Sequence, residues 1–273
     1  LEDTVGAHQI QGVRAFGSSS ALVGAQNVVN IRMTKLGQRH DMTLEHHRFT
    51  ALQGKILDAD GTSLTDLFDL FGVTNDNTTT LGSGHGSDTG RKVFDYDLSE
   101  SGESAGETTD IRIQNQAIMR FVKRAAKTII PAGAEWHVFC SDSFFDALIS
   151  RPDVKRVYER TAEQQIRLGG NYAFGTFEHA GFIFENYQGT DDNTTIAVPD
   201  GEAMLFLTGV PGLYAEYYAP ADFMETVNTV GLPRYAKTAV DQEFGRWVKL
   251  HTQQNPLPLC LRPQTLVRLR AQA

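Results

Sequence analysis

Apolar residues recur three and four positions apart from Leu22 to Ala51: Leu22, Ala25, Val29, Met33, Leu36, Leu44 and Ala51, with His40 and His47 in the same register. That spacing sets one side chain per turn on a single face, so it predicts a helix. Ser18, Ser19 and Ser20 offer capping hydroxyls before it, and Gly54 offers a stop after it. A helix of this extent would be roughly 50 Å long at 1.5 Å per residue, more than a small domain's core can cover. Gly24 and Gly37 fall inside it and each costs about 1 kcal/mol relative to Ala, so a bend or break is part of the expectation. The residues before Ser20 show little periodicity.

Beyond Gly54 the pattern shortens. Asp60-Gly61 between Lys55–Leu57 and Leu64 reads as a hairpin turn, and Thr65 to Phe71 as a short amphipathic segment. Two polar stretches, Asn75 to Gly90 and Asp95 to Thr109, read as loops around a short apolar segment at Val93-Phe94. From Asp110 to about Thr128, the stripe Ile111, Ile118, Phe121, Val122, Ala125, Ile129 predicts a second helix. Its acidic start and its basic end at Lys123, Arg124 and Lys127 suit the helix dipole, and Pro131 and Gly133 close it.

Trp136 to Cys140 reads as a buried strand. Ser141 can cap a helix carrying Phe144, Phe145 and Leu148, and Pro152 can start another through Val154, Val157 and Tyr158. Strands are then expected at Tyr172–Phe177 and Phe182–Tyr187, joined by a hairpin, and at Met204–Leu207, Leu213–Tyr218, Arg246–His251 and Thr265–Leu269. Helices first and strands later, without regular alternation, predict an α+β fold rather than a doubly wound parallel sheet.

Composition changes this picture little: 273 residues, 41% of them hydrophobic, can bury one large core or two smaller ones. No run approaches the ~20 apolar residues of a membrane span, and Leu1-Glu2-Asp3-Thr4 has neither the basic nor the apolar part of a signal peptide, which fits a product made in the cytoplasm. The chain does not open on Met, which reads as a start inside a longer gene product. A net charge of -8 argues against a protein whose task is gripping a nucleic-acid backbone. The basic end, Arg262, Arg268 and Arg270, reads as a solvated strand face. Cys140 and Cys260 stand far apart with no metal-ligand spacing, and read as buried reduced thiols.

Catalytic motifs do not hold together. In Glu45-His46-His47 the two imidazoles are adjacent and point about 100° apart on a helix, whereas a zinc peptidase needs them four apart. His40 shares a face with His47 but two turns away. Asp58-Ala59-Asp60-Gly61 opens like a calcium loop, yet Ser63 stands where that loop needs Gly. Gly82-Ser83-Gly84-His85-Gly86 and Gly90-Arg91-Lys92 miss the phosphate-loop spacing, and no nucleophile elbow is present. The reading is therefore no catalytic, cofactor-binding or metal residues. The alternative, an α+β hydrolase or metal-binding enzyme, rests on the Glu45–His47 cluster and the Gly-rich loops alone.

The last third of the chain carries longer words. They are Gly209-Val210-Pro211-Gly212-Leu213, then Tyr218 through Thr229 (YAPADFMETVNT), then Gly231-Leu232-Pro233-Arg234-Tyr235-Ala236-Lys237, then Gln253 through Cys260 (QQNPLPLC) and Arg262-Pro263. Together with Gln11 to Gly17, Ala51 to Gly61 and Ser143 to Leu148, this series resembles the lambda-type tailed-phage major capsid proteins, phage capsid protein E. The matches run in order along nearly the whole chain.

The resemblance implies a Hong Kong-type capsid fold with a spine helix at about residues 20–54. It implies a peripheral domain over 1–110, an axial domain over 111–235, and strands in 236–273 that complete the peripheral domain. It implies a structural subunit, not an enzyme, that builds pentamers and hexamers of an icosahedral shell. Decoration, scaffold and portal proteins are its implied partners; genome DNA is touched weakly and no membrane is involved. Such a subunit is made in the bacterial cytoplasm and resides in the virion. In the family an amino-terminal arm and an extended loop precede the motif around Gly12 to Gly17, and few residues do so here. A chain without them is expected to fold but to stay a monomer or small oligomer.

Overall fold

A computed structural model describes residues 1–11, 24–75, 90–91, 93–98, 110–127, 130–151, 154–155, 176–187 and 197–272. The chain opens with strand β1 (Glu2–Gly6) and a single helical turn, α1 (Ala7–Ile10). The long helix α2 (Ala25–Leu52) then runs for 28 residues, about 42 Å. Gly37 does not break it. Leu36, His40 and Ala51 of the expected stripe are buried, and Val29, Met33, Leu44 and His47 are half-buried. Leu22 and the three serines lie outside the described residues.

The hairpin at Asp60-Gly61 joins β2 (Lys55–Leu57) to β3 (Ser63–Asp66). Asp66 caps the one-turn α3 (Leu67–Leu70), accepting from the Phe68 and Asp69 amides. β4 (Thr74–Asn75) and β5 (Gly90–Arg91) pair as a two-residue parallel bridge. β6 (Val93–Asp97) contains the short apolar segment.

The second expected helix is α4 (Ile111–Ala126). The Asp110 carboxylate accepts from the Arg112 amide at its start, and Lys127 ends it in a left-handed conformation, φ 46°. β7 (Glu135–Cys140) and α5 (Asp142–Ser150), capped by Ser141, follow as read. Of the helix expected from Pro152, Val154 and Lys155 are helical; Pro152, Val157 and Tyr158 lie outside the described residues.

β8 (Thr176–His179) and β9 (Phe182–Asn186) turn on Ala180-Gly181. Both residues have positive φ, 50° and 82°, as a two-residue hairpin turn requires. Then come β10 (Glu202–Thr208), β11 (Tyr214–Tyr218), β12 (Tyr235–Val240), β13 (Trp247–Gln253), β14 (Pro256–Cys260) and β15 (Val267–Gln272). Strands β1, β4, β5, β12 and β14 were not expected from the sequence.

The chain forms two compact units, Leu1–His47 with Glu216–Leu259, and Arg48–Ala215 with Cys260–Ala273. Residues 48–110 thus belong with the second unit, because β6 pairs in parallel with the last strand, β15. That unit holds a six-stranded mixed sheet in the order β6-β15-β10-β7-β9-β8. Six of the seven residues of β10 are buried, which is why Ala203 to Leu207 is an unbroken apolar run. Phe144 and Leu148 of α5, Ile118 and Val122 of α4, and Phe182 and Phe184 of β9 are all buried. The combination of helices with a mixed sheet is α+β, as the sequence predicts.

The first unit is smaller. Its sheet, in the order β1-β13-β12, is antiparallel throughout. Val5, Leu36 and Leu250 make its core, with Ile10, Val28, Val29, Met33 and Val248 packed around them. His40, 7% exposed, shares a 2.9 Å hydrogen bond between its Nε2 and the Thr252 hydroxyl.

Burial holds the His40 pKa below its ordinary 6.5, because the charged ring would lose its hydration. A folded value below the unfolded one means that the unfolded chain takes up the proton first. The His40 contribution to stability is therefore complete above pH 6.5 and is lost as the pH falls below it. Denaturant midpoints at pH 7.5 and 5.5 are expected to fall further in the parent protein than in His40→Gln; equal falls would contradict this.

Candidate functional site

Among the described residues, Asp60, Arg262 and Arg268 have structural occupations. His46 and His47 project from α2 with ring centroids 6.1 Å apart and tilted by 51°. Both His46 nitrogens are buried without a hydrogen-bond partner. No group of three or more His, Cys, Asp or Glu that could hold a metal exists among the described residues.

The Asp58–Gly61 segment is a turn. Gly61 takes φ 82°, its amide donates to the Asp58 carbonyl at 3.0 Å, and Asp60 accepts from the amide and hydroxyl of Thr62 at 2.9 and 2.6 Å. Those bonds, the hydroxyl's foremost, hold the Asp60 carboxyl below its ordinary range. Burial pushes the Cys140 thiol well up and the Cys260 thiol up to about 11, so neither is an activated thiolate. The phosphate-loop candidate at Gly82 to Gly86 lies outside the described residues.

The basic end is not a free solvated face. Arg268 makes a two-pronged ion pair with the buried Glu202, and Arg270 approaches the same carboxylate at 3.9 Å. Arg262 donates to the Ala126 carbonyl at 2.5 Å and Gln264 to that of Ala125 at 3.1 Å. They satisfy carbonyls that the end of α4 leaves open. A cleft of about 430 Å³ beside them is lined by Phe71, Gly72, Val73, Lys127, Gly212 and Leu261 as well. Its arginine is thus spent on the helix end rather than offered to a ligand.

What the late sequence words build is a set of fixed turns. Gly209 and Gly212 take positive φ, 72° and 71°. From Ala221 to Leu232 the chain makes a loop held at many points. The Asp222 amide donates to Gln253 at 3.1 Å, and Asn255 donates to the Pro220 carbonyl at 2.9 Å. The Thr226 hydroxyl donates to the Ala221 carbonyl at 2.6 Å, and the Leu232 amide to the Tyr235 hydroxyl at 2.8 Å. Phe223 packs edge-on to Tyr235 and His251, with the Lys237 ammonium 4.4 Å from its ring centre. Gly231 lies so close to the Tyr218 carbonyl oxygen that a Cβ would collide with it. The sequence shows the words but not which side chains they turn outward.

Known proteins similar to this chain are capsid proteins. Residues 1–271 match the family described as phage major capsid protein E. The major capsid protein of Salmonella phage Felix O1 is 27% identical over 301 residues, covering 99% of this chain and 75% of that protein. That of Pseudomonas phage KPP10 is 26% identical, with 99% and 75% covered.

Among solved structures, a protein described as the capsid protein of an E. coli CFT073 prophage superposes with a TM-score of 0.50 at 14% identity, over 100% of this chain and 76% of that one. The cyanophage Pam1 capsid subunit gives 0.50 at 11%, over 99% and 73%. The structural likenesses establish the Hong Kong-type capsid fold. No described helix is long and apolar enough to cross a membrane. The chain belongs to the phage major capsid protein E family: it is the major capsid protein of a tailed phage or prophage, a structural component of the virion shell and not an enzyme.

Proposed function

We propose that this chain is the repeating subunit of an icosahedral shell, arranged in rings of five and six around the genome. The family match along residues 1–271 carries this reading. The unit built on β1, β12, β13 and most of α2 serves as the peripheral domain, and the unit with the six-stranded sheet as the axial domain. Scaffold, portal and decoration proteins are its further partners. With a net charge of -8 the subunit meets DNA only weakly, since repulsion from phosphate leaves little to gain from contact. The test is light scattering and sedimentation on the full-length gene product. Particles of hundreds of subunits are expected; a monomer under every salt and crowding condition would count against the shell reading.

The same reading assigns no catalytic or metal-binding residue. Elemental analysis is expected to find no stoichiometric zinc. Zinc at one per chain, lost when His46 and His47 are replaced, would restore the metal-enzyme alternative.

A further inference from the structure

The loop from Ala221 to Leu232 is held by hydrogen bonds within it and to Gln253 and Tyr235, yet four of its apolar side chains are exposed. Met224 is 93% exposed and Val230 is 88% exposed, with Val227 and Leu232 more than half exposed beside them. Such a loop needs no apolar residue to reverse the chain; polar residues would do so with less exposed oil. Its anchors lie at Phe223, Thr226, Gly231 and Tyr235, so the exposed residues between them are presented on a fixed frame. Fixing a contact loop in advance removes much of the ordering cost of association.

We propose that Met224, Val227, Val230 and Leu232 form an assembly knob that seats against a second copy of this chain. The proposal rests on the shell-subunit reading above and names a contact that this reading leaves open. The shell reading makes an identical copy the occupant, and the local charges allow it. Chains carrying a net charge of -8 repel one another wherever unpaired carboxylates meet. Two charge pairs flank the exposed residues, Glu225 with Lys237 at 2.6 Å and Arg234 with Asp41, while Asp222 is exposed without an ion pair among the described residues. Apolar side chains framed largely by internally paired charges let like meet like at a reduced like-charge penalty. Strand β12, which follows the loop, is the terminal strand of its sheet among the described residues, and five of its six residues are exposed, so the surface continues beyond the knob.

The experiment uses the full-length gene product and two variants. Met224→Asp with Val230→Asp puts charge where the knob would be buried. Both positions are almost fully exposed in the subunit, so the melting temperature is expected to stay unchanged while the concentration needed for assembly rises by at least about tenfold. Val230→Cys places an accessible thiol on the loop, since Cys140 and Cys260 are buried. Its maleimide labelling is expected to slow by at least about tenfold in assembled particles relative to dissociated subunits. Should the double variant misfold, the thiol measurement decides alone.

A double variant that assembles at the parent's concentration, or a thiol that labels equally fast in particles, would overturn the knob and leave the shell reading standing. A loop that served some other virion protein would give that result. Failure of the parent itself to assemble would remove the shell reading and the knob together.

Discussion

Leu36→Ala is expected to destabilise the protein by about 2–4 kcal/mol, the usual cost of emptying a leucine-sized volume from a packed core. Leu36 is 2% exposed and sits at the centre of the first unit's cluster, between Val5 of β1 and Leu250 of β13. Those two strands come from opposite ends of the chain and pair in register from Glu2↔His251 to Gly6↔Trp247. With only three fully buried members in the cluster, the neighbours that could collapse into the gap are few. A surface substitution would cost under ~0.5 kcal/mol. Denaturant midpoints separate the two cases, and equal midpoints would show that the helix stripe is not what holds this unit together.

Gly54→Ala is expected to cost at least as much, about 2–6 kcal/mol, through two effects that add. Gly54 ends α2 with φ 89°, its amide donating to the Ala51 carbonyl at 2.9 Å and its carbonyl accepting from the Leu67 amide at 2.9 Å. A side chain in that conformation is strained by about 1–3 kcal/mol. The added Cβ would also collide with the ring edge of Phe68, itself 1% exposed, and overpacking of this kind costs about 1–3 kcal/mol more. Gly61→Ala is the comparison: its φ is 82° but nothing lies within 4 Å of the added atom. It should show the strain alone. Identical losses for the two variants would mean that the Phe68 contact contributes nothing.

These positions also show what the sequence made legible. The α2 stripe and the Gly54 stop were readable because the stripe's face of the helix is buried at Leu36, His40 and Ala51. β10 was readable because its burial on both faces leaves an unbroken apolar run. β12 was not, because Ala236 to Val240 are exposed and an alternating pattern needs a buried face to record. β1 was hidden for a similar reason: Glu2, Asp3 and Thr4 are polar, and only Val5 and Gly6 are buried. β14 carries Pro256 and Pro258, which lack the amides a strand signal rests on.

The basic carboxyl-terminal residues misled, since the carbonyls and carboxylate that occupy Arg262 and Arg268 come from distant segments. The family words were legible as words, but their physical content was not. That Gly231 must lack a side chain, and that Met224 and Val230 face outward, depends on contacts such as those of Gly231 with the Tyr218 carbonyl and of Leu232 with the Tyr235 hydroxyl. Periodicity carries no record of such contacts.

The central claim is that this chain is a shell subunit, and electron microscopy of the full-length gene product tests it most directly. Closed particles of uniform size, with subunits in rings of five and six and a long helix in each subunit, are the expected result. Dispersed monomers or irregular aggregates from a protein that is otherwise folded would contradict it.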